Sequence, residues 1–419
     1  MGLTIAQKIL AKASGSSRVE PGDFVWARPD MATMPDLSAV ERLKILKRLG
    51  LTTIWDPTKL IISTDHRVMV VTDREAQLSK EMRDLIREMG IVHFYDLGRH
   101  GIVHQQCVEL GLVRPGMFVV GSDTHTPTCG GVGVLAVAVN HGLPILLATG
   151  EIWVMIPETI RVTLFEKLPQ YGCARDIALT IGALIGSEEG NYRVIEFSGP
   201  GLDTLNLDQR LTLCNFAPEI GCKTAVAPPN EDILKYVSER SAEPFDPVLS
   251  DKDAEFVRDY NLDISSLEPT VACPPSPDNI KHASMLKDIE IDWAFIGSCA
   301  AGRMDDLRAA AAMLKGRKVN KRVKFFIVPA SQEIYLHAIE EGLIKIFIES
   351  NAVVAPPSCG PCYGNMVHLA NGETCIGTGT RNEPGRMGGM EAKVYIAGAL
   401  VVTASAITGR ITDPRKLMG

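Results

Sequence analysis

At 419 residues the chain is too long for one ordinary hydrophobic core, so more than one domain is expected. Its 46% hydrophobic and 22% charged residues suit a globular protein, and a net charge of -7 argues against a nucleic-acid partner, which needs Lys and Arg to neutralise phosphates. Ten cysteines are too sparse for a disulfide scaffold and fit a reducing, cytoplasmic setting.

The N-terminal "MGLTIAQKILAKASG" reads as an amphipathic helix without the apolar core and cleavage site of a signal peptide. Gly2 is present, but Ala6 stands where myristoylation needs Ser or Thr. Further on, "KLIISTDH", "MFVVGSDTH", "IDWAFIGSC", "VKFFIVPA" and "NAVVAPPSC" are compact apolar runs ending in polar, Gly or Pro residues, which predicts strands. Between them "EAQLSKEMRDLIREMG", "MDDLRAAAAMLKG" and "SQEIYLHAIEEGLI" repeat apolar residues at helical spacing. Strands that are apolar throughout and separated by helices predict an α/β fold of mainly parallel sheets covered on both faces.

Two longer apolar stretches raise the question of a membrane. "GVGVLAVAVNHGLPILLATG" is interrupted by Asn140, His141 and Pro144, and "AKVYIAGALVVTASAITG" is short and carries Lys393. A span needs roughly 20 apolar residues, so both are expected to be core elements. "CGGVG" at Cys129–Gly133 lacks G-x-G-x-x-G spacing and reads as a tight turn. The buried-looking thiols Cys107, Cys214 and Cys375 read as small core residues. A charged, then Pro-rich stretch, "LSDKDAEFVRDYNLDISSLEPTVACPPSPDNI", reads as a linker. Together these features suggest three α/β domains, residues 1–157, 158–285 and 286–419, the last carrying the cysteines discussed next.

Polar residues recur at the carboxyl ends of the predicted strands: Asp65-His66, Asp123-Thr124-His125, Cys299 and Cys359. Ligands collect at that edge in open α/β sheets, so these ends suggest one composite site rather than separate caps and turns. Among the thiols, Cys299 is solitary while Cys359-Gly-Pro-Cys362 forms a Cys-x-x-Cys. Zinc normally takes four ligands, one more than these supply. A thioredoxin-like pair would open a helix in a small domain. Three cysteines also suit a four-iron cluster with one iron lacking a thiolate. Spacing alone leaves these readings open.

The series "IWDPTKL", Asp65-His66, "GIVHQ", "GSDTHT", "LCNFAPEIG", "IGSC", "SCGPCYG" and "GTRNEPGRMGG", in this order, resembles the aconitase superfamily, specifically the large catalytic subunits of the isopropylmalate isomerase and homoaconitase group. The resemblance spans nearly the whole chain. It implies three α/β domains around a central [4Fe–4S] cluster held by Cys299, Cys359 and Cys362, with one iron not bound by cysteine. It implies a hydro-lyase acting on a 2- or 3-hydroxy di- or tricarboxylic acid. Asp65 and His66 match the pair that protonates the departing hydroxyl, Asp123 and His104 a second carboxylate–imidazole pair, and His125 and Glu219 positions near the reacting oxygen. Thr124, Arg381 and Arg386 match substrate-binding positions. The swivelling domain of single-chain relatives, source of their serine base, has no counterpart before Gly419, so a separate small subunit is expected and the lone chain should turn over poorly.

The chain departs from the family pattern in several places. Ser298-Cys299-Ala300-Ala301 replaces Ser-Cys-Thr-Asn, Thr124 replaces Ser, Pro35 stands where relatives place His or Gln, and Thr380 where they place Asn. Fewer polar groups suggest a substrate other than ordinary isopropylmalate or homocitrate, with 2,3-dimethylmalate one option. Homoaconitase is the nearest alternative within enzymes. RNA binding, known for some cluster-free aconitases, is disfavoured by the acidic balance.

Overall fold

The computed structural model describes residues 2–418, which form two compact units. One runs up to Phe165 and takes in Glu188–Leu262; the other joins Glu166–Ser187 to Asp263 and beyond.

In the first unit five parallel strands lie in the order His93–Tyr95, Leu60–Ser63, Met31–Pro35, Phe118–Gly121, Leu135–Ala138. The expected apolar-throughout pattern follows from burial of both faces. Ala32, Met34, Leu60, Ile62, Phe118 and Val120 enter one core layer, while their neighbours Met31, Ile61 and Val119 enter another. Each fully buried aliphatic side chain contributes about 1.5–3 kcal/mol, so the two layers hold the sheet and leave its carboxyl edge free for polar groups. The helix Asp73–Glu88 starts where Thr72 accepts from the Glu75 amide. The N-terminal helix is Ile5–Ser14, opened by a Thr4/Gln7 capping box and closed at Gly15. A second sheet of the unit orders Thr224–Val226, Val194–Ser198, Thr159–Phe165 and Arg258–Asp263.

The chain first builds outward from Met31–Pro35 to Leu60–Ser63 and His93–Tyr95, then returns to lay Phe118–Gly121 on the other side of Met31–Pro35. That reversal between Met31–Pro35 and Phe118–Gly121 is a topological switch point, where such sheets leave a crevice at their carboxyl ends.

The second unit repeats the plan. Its seven-stranded sheet contains a parallel series Val353–Val354, Lys324–Ile327, Trp293–Ile296, Thr374–Gly377, Lys393–Ala397. Here the switch lies between Trp293–Ile296 and Thr374–Gly377. Thr270–Ala272 and Ile280–His282 extend this sheet antiparallel. The stretch expected to be a linker is thus partly strand: Arg258–Asp263 and Thr270–Ala272 fall within it, and Ile280–His282 begins at its last residue. Its short apolar run is anchored by the buried Asp176 carboxylate, which accepts from the Thr270 amide at 2.8 Å.

The predicted helices appear at Met304–Leu314 and Gln332–Glu340. Both long apolar stretches break into short elements, Leu135–Ala138 with Leu143–Thr149 and Lys393–Ala397 with Ala399–Thr408. Among the described residues no helix is long and apolar enough to cross a membrane. "CGGVG" lies in a tight 3-10 turn, Thr126–Val132, where a Cβ on Gly130 would come within 1.9 Å of the Ala225 carbonyl oxygen. Cys107, Cys214 and Cys375 are fully buried, and burial pushes each thiol's pKa up.

Candidate active site

The carboxyl edge of the first unit's sheet is built around three aspartates, each accepting backbone amides. Asp36 follows strand Met31–Pro35 and opens the helix Asp36–Arg48. Its Oδ1 accepts from the amides of Asp65 at 3.2 Å and His66 at 2.9 Å, and its Oδ2 from that of Arg67 at 2.8 Å. The loop after Leu60–Ser63 is thereby pinned to the neighbouring strand's end. Asp65 accepts from the Val103 amide through Oδ2 at 3.0 Å and contacts His66 Nδ1 through Oδ1 at 2.6 Å. The side chains of His66 and Asp65 are only 7% and 1% exposed.

Asp36, Asp65 and His66 stand close enough to surround a cation. Both oxygens of Asp36 already serve backbone amides, however, and the cluster reads better as a clamp with a proton-transfer pair. Burial works against a charged His66, yet Asp65, together with Asp36 and Asp123, pushes its imidazole up to about 9. Burial likewise pushes the Asp65 carboxyl up, to about 6, against the pull of that imidazole. At neutral pH the pair is therefore carboxylate and imidazolium, with His66 loaded with a proton.

Across the switch point, Asp123 follows Phe118–Gly121 and accepts from the His125 amide at 2.7 Å. Gly121 is required there, since a Cβ would meet Thr126 Oγ1 at 2.1 Å and Thr33 Oγ1 at 2.5 Å. The hydroxyls of Ser38 and Ser122 meet at 2.8 Å. His125 Nε2 contacts Glu219 Oε1 at 2.5 Å, and the Glu219 side chain is 4% exposed, so it is no surface carboxylate. Burial pushes Asp123 up, but His104, His125 and His66 outweigh it and hold the carboxyl below its usual range. His104 itself lies buried on the helix Val103–Glu109. Thr124 is half-buried between the two functional neighbours. All seven residues expected here from the sequence, Asp65, His66, His104, Asp123, Thr124, His125 and Glu219, are carried by the first unit.

The second unit gathers the thiols. Cys299 follows Trp293–Ile296 through Ser298, a non-glycine residue at φ 70, and its carbonyl accepts from the buried Arg303 guanidinium at 2.7 Å. Thr378, at the end of Thr374–Gly377, ties this turn down: its Oγ1 accepts from the Gly297 amide and donates to the Gly297 carbonyl. Cys359 precedes the 3-10 turn Gly360–Tyr363 that contains the buried Cys362. Thr380 Oγ1 is 3.8 Å from Cys362 Sγ, and Arg386 donates to the Cys362 carbonyl at 2.8 Å and to its sulfur at 3.9 Å. Arg381 follows Thr380 and is half-buried.

None of the ten cysteines is in a disulfide. Three buried or part-buried thiols that follow strands of one sheet, with the Thr380 hydroxyl and the Arg386 guanidinium beside the Cys362 sulfur, make a donor set that fits an iron–sulfur group.

Two contributors escaped the sequence reading. Asp36 was visible only as an aspartate beside Pro35; its clamp depends on three amides from another strand's loop. Arg175, on the helix Ala174–Gly190, is buried and donates to the Thr378 carbonyl at 3.4 Å. Burial disfavours its charge, which Cys173, Asp306, Cys299 and Cys362 support. "GCARD" offered a helix start but no hint of that reach.

A model of the aconitase family (aconitate hydratase) matches residues 7–284 and 279–409. The 3-isopropylmalate dehydratase large subunit 1 of Methanopyrus kandleri is 41% identical over 417 residues, covering 99% of each chain. A probable 3-isopropylmalate dehydratase large subunit of Methanothermobacter thermautotrophicus is 41% identical over the full length of both. In structure, the holo form of Thermococcus kodakaraensis aconitase X covers 90% of this chain and 89% of its own at TM-score 0.50, with 14% identity, a likeness of fold. With matches along its whole length, the chain belongs to the aconitase family, and an iron–sulfur cluster is the cofactor that family implies.

Proposed function

We propose that this chain is the large subunit of a hydro-lyase that removes and re-adds water on a small branched hydroxy dicarboxylate, in the manner of isopropylmalate isomerase. The observation that carries the reading is the buried Asp65–His66 contact of 2.6 Å at a carboxyl edge, in a chain whose full-length relatives are named as isopropylmalate dehydratase large subunits.

Dehydration of a hydroxy acid needs a proton for a poor leaving group and an acceptor for a weakly acidic hydrogen. His66 serves the first need: Asp65 holds Nδ1, which leaves Nε2 as the atom that delivers the proton to the departing hydroxyl. The His125–Glu219 pair orients the water that leaves or returns, and Asp123 with His104 sets the charge around it. Cys299, Cys359 and Cys362 would hold a [4Fe–4S] cluster with one iron free of cysteine, which when bound supplies a Lewis acid for a hydroxyl oxygen. Arg381 pairs with a substrate carboxylate through its planar fork. Arg386 directs two of its donors at Cys362, so its part is to steady the Cys359–Cys362 turn as well. A separate small subunit supplies the closing domain and the base that takes the hydrogen next to the carboxylate.

A second reading concerns the substrate. Ala300 and Ala301 are 1% and 3% exposed and Thr380 is fully buried, so the departures from the family pattern remove polar groups from the interior beside Cys299 and Cys362. This supports a less polar branched malate, such as 2,3-dimethylmalate. The test is anaerobic co-expression with the small subunit and a kinetic panel of alkylmalates, isopropylmalate, homocitrate and 2,3-dimethylmalate. Turnover of none of them by an iron-loaded complex overturns the function; preference for isopropylmalate overturns the second reading alone.

A further inference from the structure

The edge of the first unit is crowded with acids: Asp36, Asp65, Asp123 and Glu219 are each engaged there. A dicarboxylate approaching such an edge meets repulsion unless a cation faces it. Three imidazoles are present, but His66 and His125 are each held against a carboxylate of their own. The residue immediately after His66 is Arg67, half-buried. Its amide is donated to Asp36 Oδ2 at 2.8 Å, and its Nη1 to the Asp36 carbonyl at 3.1 Å. The guanidinium is thus drawn to the carboxyl end of Met31–Pro35, beside the switch point.

Its remaining donors are uncommitted. Among the described residues Nε and Nη2 make no hydrogen bond, and no carboxylate lies within ion-pair distance, although the acids of the edge are its neighbours in sequence and space. The reason is geometric: Asp36 spends both oxygens on backbone amides and Asp65 spends its own on Val103 and His66. Nε and Nη2 form the side of a guanidinium that matches a carboxylate with two parallel hydrogen bonds. Pro35, at the end of the same strand, has no polar side chain to compete for that place.

We propose that Arg67 is a substrate-binding residue whose Nε/Nη2 edge takes one carboxylate of the hydroxy dicarboxylate. The proposal rests on the hydro-lyase reading for the identity of the acid, but not for the existence of the anion site. It also assigns the first unit its own hold on substrate.

The test uses the complex with its small subunit and the variants R67Q and R67K. Steady-state kinetics are measured with 3-isopropylmalate, 2,3-dimethylmalate and their monoamides, and equilibrium binding of the same acids is measured independently of turnover. Uniform binding lost from ground and transition states raises KM and spares kcat. R67Q is therefore expected to raise KM and the dissociation constant at least about tenfold with kcat within about threefold, at unchanged iron content and Tm. R67K, which keeps the charge but not the fork, falls between. The wild type should discriminate against one monoamide, and R67Q should lose that discrimination. KM and binding within about twofold of wild type for every acid in R67Q overturns the proposal, as does a rise in KM with no change in monoamide discrimination, which marks a mere clamp. If no acid is turned over but binding still depends on Arg67, the hydro-lyase reading fails and the anion site stands.

Discussion

The two units wind their parallel strands in the same order and present the same kind of switch point, yet stock it with opposite chemistry. In the first, carboxylates pin the loops by accepting amides and stand against imidazoles. In the second, thiols sit among guanidinium groups, Arg175, Arg303 and Arg386, which suit an anionic inorganic group. The fold supplies an edge and a crevice; the residues after each strand set its chemistry, and on the proposed function the first edge handles protons and the second holds metal. One unit can therefore be disabled without disturbing the other, and this separability is open to test.

The largest effect is expected from the thiols. Cys362→Ser should remove the iron–sulfur group and bring activity to background, because the remaining two cysteines cannot retain it. Anaerobic iron and sulfide analysis checks the loss. Circular dichroism should stay close to native, since Ser keeps the size of the side chain where Cys362 packs with Phe295, Val328 and Ala355. Retention of iron at wild-type level would break the assignment of ligands.

Next comes the acid of the other edge. His66→Asn should lower kcat by about 10²–10⁴-fold, the usual worth of a positioned general acid, while leaving iron content intact. The pH profile sharpens this. His66 works while protonated, and Asp65 with its neighbours pushes that proton's loss up to about pH 9, so activity should persist at pH 8 and fall on a basic limb near 9. In Asp65→Asn the supporting charge is gone while burial still opposes the imidazolium, so the limb moves down toward or below the ordinary histidine value of about 6.5. A limb that stays near 9 in that variant would assign it to another group.

What the sequence disclosed follows the same division. Strands such as Leu60–Ser63 and Phe118–Gly121 were legible because burial on both faces leaves uninterrupted apolar runs. Asp65-His66 and Cys299 were legible because polar residues at a strand's end stand out against such runs. The elements that escaped are short or depend on distant partners. Thr270–Ala272 and Ile280–His282 have three residues each, too few for periodicity to register amid Pro-rich surroundings. Asp36, Arg67 and Arg175 draw their meaning from backbone atoms 29 to 203 residues away, which no local pattern encodes.

A smaller effect is expected one layer out from the thiols. Thr380→Val removes the hydroxyl that faces Cys362 Sγ at 3.8 Å while keeping the shape. Loss of such an outer partner costs about tenfold in metal affinity or activity. Iron release to a chelator should therefore quicken by about that factor, with kcat per bound cluster changed less. An unchanged release rate would mean that Arg386 alone steadies this sulfur.

The smallest effect concerns how each edge holds its loop. The first unit uses side-chain acceptors, as when Asp36 takes the amides of Asp65, His66 and Arg67. The second accepts a left-handed residue, Ser298 at φ 70, just before its first ligand. An L-residue there costs about 1–2 kcal/mol, which Ser298→Gly would relieve. The same change deletes Ser298 Oγ, which accepts from the Ala300 amide at 3.2 Å, a bond worth about 0.5–1.5 kcal/mol, and frees the unfolded chain. The terms nearly cancel, so denaturant midpoints should agree within about 1 kcal/mol. Asp36→Ala has no such compensation, because it strands three amides at once, and should destabilise by at least about 2 kcal/mol. Equal responses of the two variants would mean that the loops are held by the packing beneath them rather than by the devices that distinguish the two edges.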